Sequence, residues 1–470
     1  MNQGRGLRFL LSGILLAGCG SSSGNPPDAA IGHDAKSDGK TDAAPTNDSP
    51  IVNDLLVRDV ATALESAAPD VPGPADAPAL DVPVDVVTAV DAGAAQETQV
   101  AIDASGLDAA AIDTTAAEGG TGEAGVAVTF IATLSGAQEV PPVATSASGS
   151  ATFTLSADRT QLAYHVTHDV VGGTASHIHL AAAGENGAVI HPFAPFATDM
   201  SGTLTITSSD ADNLAQGRLY VNVHSTANPG GEIRGQILRP GDTLWVAHLT
   251  GGQETPAITS TGTGSAALIL DGTGTSLRYH VTTTGLTLTN AHIHKAIATI
   301  AGGVLYPLTP LGATIDGTVA VTSADAQDLA DGHLYVNVHT AAHPGGELRG
   351  QLMLPGEVLY SATLDGANEV PPVTTSATGG AQFILDPAGT MLRYEAGFTG
   401  LTATASHIHT GAAGSNGAVV YPLTLTAAGA KGTQAVTAAD ITSLDAAGYY
   451  INAHTAANPG GEIRGQILKP

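Results

Sequence analysis
The chain is poor in the residues on which most functional classes depend. Its 470 residues include one cysteine, which excludes an intrachain disulfide framework, a cysteine-based zinc site and an iron–sulfur cluster. Lys and Arg total 16 against 43 Asp and Glu, a formal net charge of −27. No basic cluster is present, which argues against a nucleic-acid binder, since phosphate recognition needs clustered Lys and Arg. Aromatic residues make up only 4%. Long apolar runs are missing too: the one stretch apolar enough to enter a bilayer lies at the extreme N-terminus and is too short to span it. No Gly-x-Ser-x-Gly elbow occurs at a strand-to-helix turn, and no Gly-rich loop joins a strand to a helix as a phosphate loop would. Paired carboxylates do not recur, apart from the single Glu139-type and Glu232-type positions, so a glycosidase has no support.

What is present starts with residues 1–19. Arg5 and Arg8, the apolar run Phe9 to Leu16, and Leu16-Ala17-Gly18-Cys19 read as a secretory signal. Small residues before a cysteine resemble a bacterial lipobox, which implies that Cys19 becomes the lipidated first residue of the mature chain. Such a cysteine carries several acyl chains, enough for stable membrane anchoring. Gly20 in the next position resembles export to the outer membrane. The expected address is thus the cell envelope, lipid-anchored, at the outer membrane or cell surface. Residues 20–125 contain no Phe, Tyr or Trp and carry 19 acidic residues against three basic. They cannot bury enough apolar surface to offset ordering entropy, and are expected to form a disordered, charge-extended tether.

From about residue 126 the chain repeats three times at an offset of 115 residues, giving units 126–240, 241–355 and 356–470. His177-Ile178-His179 returns as His292-Ile293-His294 and His407-Ile408-His409. Tyr220-Val221-Asn222-Val223-His224 returns ending at His339 and at His454, and the Gly-Glu-Ile-Arg-Gly-Gln run around Arg234 recurs at the same spacing. Glu139-Val140-Pro141-Pro142 has counterparts at Glu254 and Glu369. Each unit is large enough for its own core. In unit one, short alternating segments predict strands over 130–134, 150–155, 162–167, 175–180, 188–192, 202–207, 219–224 and 232–238, separated by Gly-, Pro- and Asn-bearing turns. One short capped helix is expected after Ser208. The fold class is therefore all-β: three tandem antiparallel β-sandwich domains after a disordered tether.

On a strand, residues i and i+2 share a face. His177 and His179 therefore project together, with Ile178 toward the core, and Tyr220, Asn222 and His224 share a face. If the two strands are neighbours, three imidazoles converge, a set that suits zinc or copper. The alternative is a hydrogen-bonded polar cluster satisfied by Asn222 or backbone carbonyls. Glu232, Arg234 and Gln236 alternate on the last strand, and Arg234 is expected to reach a carboxylate or carbonyls across the sheet.

With these motifs each unit resembles a CHRD domain, a type named for its occurrence in chordin. The resemblance implies an immunoglobulin-like β-barrel distantly similar to copper/zinc superoxide dismutases, and by analogy an extracellular binding role. His-x-His on a strand plus a distant histidine resembles the copper-side ligands of those enzymes. Candidate ligands carried over are His177, His179 and His224, then His292, His294 and His339, then His407, His409 and His454. The bridging histidine has no persistent counterpart, since that position reads His191, Tyr306 and Tyr421, and no disulfide is available. The expectation is a lipid-anchored protein with a non-enzymatic binding or surface-structural role and metal sites; the alternative is a copper-dependent redox protein. Within the triads, cationic Lys295 beside His294, and the loss of the Asn-Gly turn that follows His-Ile-His in the other units, predict weaker metal binding in unit two.

Overall fold
A computed structural model describes residues 125–470. The signal segment, Cys19 and the acidic tether lie outside the described residues. Unit one contains β1 (Val128–Ser135), β2 (Ser148–Leu155), β3 (Gln161–His168), β4 (Gly173–Leu180), β5 (Ala188–Pro192), β6 (Asp199–Thr205), α1 (Ser208–Ala215), β7 (Leu219–Ser225) and β8 (Ile233–Gln236). Units two and three repeat this order, unit three with an added two-residue strand, Leu425–Thr426. All pairings are antiparallel, in the order β5-β4-β7-β8-β1-β2-β3-β6. Only one residue pair, Ser135 with Arg234, joins β8 to β1, so the sheet curls there and packs one half on the other. In unit two the same strands form two separate four-stranded sheets.

The alternation in the sequence dictates this arrangement. Along β1, Phe130, Ala132 and Leu134 are buried, and along β3 so are Leu162, Tyr164 and Val166. Ile178, Val221 and Ile233 join them from the opposite half, closing one core per unit. Every residue of β7 from Leu219 to Val223 is buried. Leu219, Val221 and Val223 fill the core, while the other face of β7 is covered by the loops that build the site below. The helix starts one residue earlier than its serines suggested: Thr207 is the N-cap, and it exchanges hydrogen bonds with Asp210 as a capping box.

The units dock head to tail through the loop between β4 and β5. Ala182 and Ala183 pack on Ala267 and Ile269 of unit two. Glu185 accepts hydrogen bonds from Ser265 Oγ at 2.9 Å and from Thr282 Oγ1. His280 lies 2.6 Å from Asp316 and 3.6 Å from Glu185, and Arg218 pairs with Asp316. At the second joint Ala298 N donates to Gln382 Oε1 at 3.0 Å, and His333 lies 2.9 Å from Glu395. The receiving positions explain a pattern visible along the repeats. Ala267 and Ile269 in unit two, and Gln382 and Ile384 in unit three, are buried in joints, whereas their unit-one counterparts Thr152 and Thr154 are exposed.

Candidate metal centre
Strand β4 lies between β5 and β7. Its register sets His177 opposite Asn222 and His179 opposite Tyr220. Ile178 is fully buried in the core, so both histidines face outward onto the layer of loops. A register shift against β5 falls between Ile178 and His179, and recurs at Ile293/His294 and Ile408/His409. His224, two residues beyond Asn222, completes the group. In each triad one nitrogen from each of the three histidines lies within 4.8 Å of the other two, for His177/His179/His224, His292/His294/His339 and His407/His409/His454.

The hydrogen bonds fix which nitrogens face inward. His179 Nδ1 meets Gly187 O at 3.0 Å and His224 Nδ1 meets Pro229 O at 3.0 Å. A carbonyl only accepts, so Nδ1 carries the proton on both rings and each Nε2 is left as a lone pair. His294 and His339 are held in the same way by Gly302 O and Pro344 O, and His409 and His454 by Gly417 O and Pro459 O. The Nε2 atoms of His179, His224, His294 and His409, and Nδ1 of His177, are buried without a hydrogen-bonding partner among the described residues. Burial pushes the pKa of His177, His179, His292, His294, His339, His407 and His409 below the usual histidine value, which keeps them neutral. Three imidazoles with ligand atoms this close together are a donor set for zinc or copper. In units two and three His292 Nδ1 and His407 Nδ1 lie 3.1 and 3.0 Å from the Nε2 atoms of His339 and His454, so the unpartnered nitrogen common to all three units is Nε2 of His179, His294 and His409.

A second ring of residues supports the first. Tyr220 stacks on His179 with ring centroids 4.8 Å apart and 13° between planes, and Arg234 lies over the other side of Tyr220 at 3.5 Å. Arg234, 1% exposed, donates to Ala182 O at 2.9 Å and Glu185 O at 2.6 Å, so it reaches carbonyls rather than a carboxylate. Glu232 accepts from Thr145, Ser225 and Asn228 and braces the turn that carries Pro229. In that turn Gly231 has φ +144, and a Cβ there would lie 2.5 Å from Glu139 Oε1 and 2.7 Å from Asn222 Oδ1. Only glycine fits.

Glu139 is buried and accepts from Asn222 Nδ2 at 3.2 Å. Its other oxygen and Asn222 Oδ1 are both buried acceptors with no donor, and the same two atoms are orphaned in units two and three. Burial raises the Glu139 and Glu254 pKa to about 7 and also raises that of Glu369. A proton on Glu139 would complete an acid–amide ring with Asn222.

One expectation needs correction. Lys295 follows His294 on the strand and therefore projects to the opposite face, where its Nζ pairs with Asp328 at 2.5 Å. It places no cation at the triad. The position considered for a bridging histidine turns to the helix cap instead: His191 lies 3.3 Å from Asp210 and Tyr306 donates to Asp325 at 2.7 Å. A donor to the capping carboxylate explains why His and Tyr interchange there. The sequence already placed Tyr220 and Asn222 on the histidine face; their partners Arg234 and Glu139 come from distant segments and were not read as part of the site.

The family model of the CHRD domain matches residues 130–237, 245–352 and 360–467. Among curated proteins, chordin of Danio rerio is 29% identical over 287 residues, covering 55% of this chain. The match spans about 30% of that relative's length. No solved structure matches.

Proposed function
The chain belongs to the CHRD family in three tandem copies, and on that premise we propose that it is a non-enzymatic extracellular binding protein whose units each hold a zinc or copper ion on a histidine triad. The observation that carries the metal reading is the threefold recurrence of buried imidazole lone pairs with their tautomers set by backbone carbonyls. His179, His294, His339, His409 and His454 are buried. His177, His292 and His407 are only partly buried, which leaves one side of each centre open to a further donor from solvent or from a binding partner. Bound metal would tie β4 to β7 at the mouth of each sandwich and offer a Lewis-acidic contact there. Elemental analysis of the chain purified from an oxidising compartment tests this reading. Three ions per chain, lost in the His179→Ala/His294→Ala/His409→Ala variant, would support it; no retained or titratable metal would refute it.

From Leu16-Ala17-Gly18-Cys19 we further propose that a lipidated Cys19 holds the three units at a bacterial cell surface. Among the described residues no helix is long and apolar enough to cross a membrane. Cys19→Ala should move the protein from the membrane to the soluble fraction. Unchanged partitioning would remove the anchor from the proposal.

A further inference from the structure
The β4–β5 loop belongs to two structures at once. On one side it forms the wall of the metal centre: Gly187 O holds the His179 tautomer, Gly187 N donates to the Tyr220 hydroxyl at 3.2 Å, and Ala182 O and Glu185 O anchor Arg234. On the other side it is the joint to the next unit, through Ala182 and Ala183 in an apolar contact and Glu185 on Ser265 and Thr282. One residue, Asn186, separates the carboxylate that grips unit two from the carbonyl that orients the ligand.

Unit two is built alike with different residues. Gly302 O holds His294, while Ala298 N and Thr299 Oγ1 bond to Gln382 and to Ala362 O of unit three at 3.0 and 3.2 Å. In unit three the loop still holds His409 through Gly417 O, but residues 412–416 are exposed. Ala182 and Ala183 are buried; their counterparts Ala412 and Ala413 are not.

We propose that each β4–β5 loop couples its metal centre to the joint it forms, so that docking of the next unit pre-organises sites one and two, while site three, whose loop meets no further unit among the described residues, binds without that support. The proposal rests on the metal-binding reading above. A loop held in its bound conformation lowers the ordering cost of binding, and because coupling is reciprocal, metal in site one stabilises the joint in turn. It also reverses the order expected from Lys295: unit two ranks with unit one, and unit three is the weaker site.

The test uses the whole chain and zinc as probe. His294→Ala with His409→Ala leaves only site one, and His179→Ala with His294→Ala leaves only site three. Into each background Ser265→Ala, Thr282→Val and His280→Ala are introduced, which remove every polar partner of Glu185 in unit two while changing no residue of either remaining site. Zinc affinity at site one should fall about fivefold or more, the lower end of typical coupling, with site three unchanged in the same joint variant. Equal loss at both sites would mean general destabilisation and overturn the proposal. Unchanged affinity at site one would overturn the coupling and leave the metal reading intact. No zinc binding in any background would overturn both.

Discussion

Replacing Glu139, Glu254 and Glu369 together by glutamine should stabilise the protein above neutral pH and leave it unchanged in acid. Each carboxyl is buried beside an asparagine whose carbonyl lacks a donor, and a proton satisfies both groups at once. In the unfolded chain the carboxyl ionises near 4.5, whereas in unit one it keeps its proton to about 7. Between those values the folded state binds more protons than the unfolded state. Stability contributed by the acid–amide ring is therefore complete below 4.5 and is lost as pH rises through 7. The separation corresponds to about 3 kcal/mol in each of units one and two at 1.36 kcal/mol per pH unit, and the shift at Glu369 has the same direction. Glutamine keeps the same shape and donates permanently to Asn222 Oδ1, so it escapes the loss. Thermal unfolding of metal-free wild type and triple variant should give equal midpoints at pH 4. By pH 8 the variant should unfold some 10 °C higher. His177, His179, His292, His294, His339, His407 and His409, whose lowered pKa makes the fold less stable as pH falls below 6.5, act equally on both proteins and cancel in the difference. A variant less stable than wild type at pH 8 would refute the reasoning, because it would mean that the ionised Glu139 is favoured in the fold as the counter-charge of Arg234 rather than penalised by burial.

Other consequences of the structure can be measured directly. Ile178→Ala empties a fully buried position under the histidine strand and should destabilise unit one by about 2–5 kcal/mol, seen as early unfolding of one third of the array by calorimetry. Zinc affinity should be nearly constant above pH 6.5 and fall below it, since burial holds the ligand imidazoles neutral down through that range. A steep rise in affinity between pH 7 and 9 would instead point to another ligand type.

The all-β fold and the triads were legible because both rest on period-two alternation, which strands obey strictly. Ile178 between two histidines, and Asn222 between Tyr220 and His224, give their faces away without any knowledge of distant contacts. The same rule, applied to Lys295, places it opposite His294, so adjacency in sequence brings no cation to the triad. The second ring was harder to see, because Glu139, Arg234 and the β4–β5 loop approach the histidines from segments separated by up to about a hundred positions. The joints left a fainter trace. Thr152 and Thr154 are replaced by Ala267 and Ile269, and by Gln382 and Ile384, at outward-facing strand positions. Loss of polarity on the exposed side of a repeated strand signals that something covers it, but only comparison among the three copies shows it.

The central claim is that the triads are ligands. X-ray absorption spectroscopy of the zinc-loaded chain tests it at the atoms concerned. The account predicts a first shell of nitrogen and oxygen at about 2.0–2.1 Å, with outer-shell scattering from three imidazoles per zinc that falls when His177, His292 and His407 are replaced by alanine. A shell of oxygen donors without imidazole scattering would contradict it and return the nine histidines to a purely structural role.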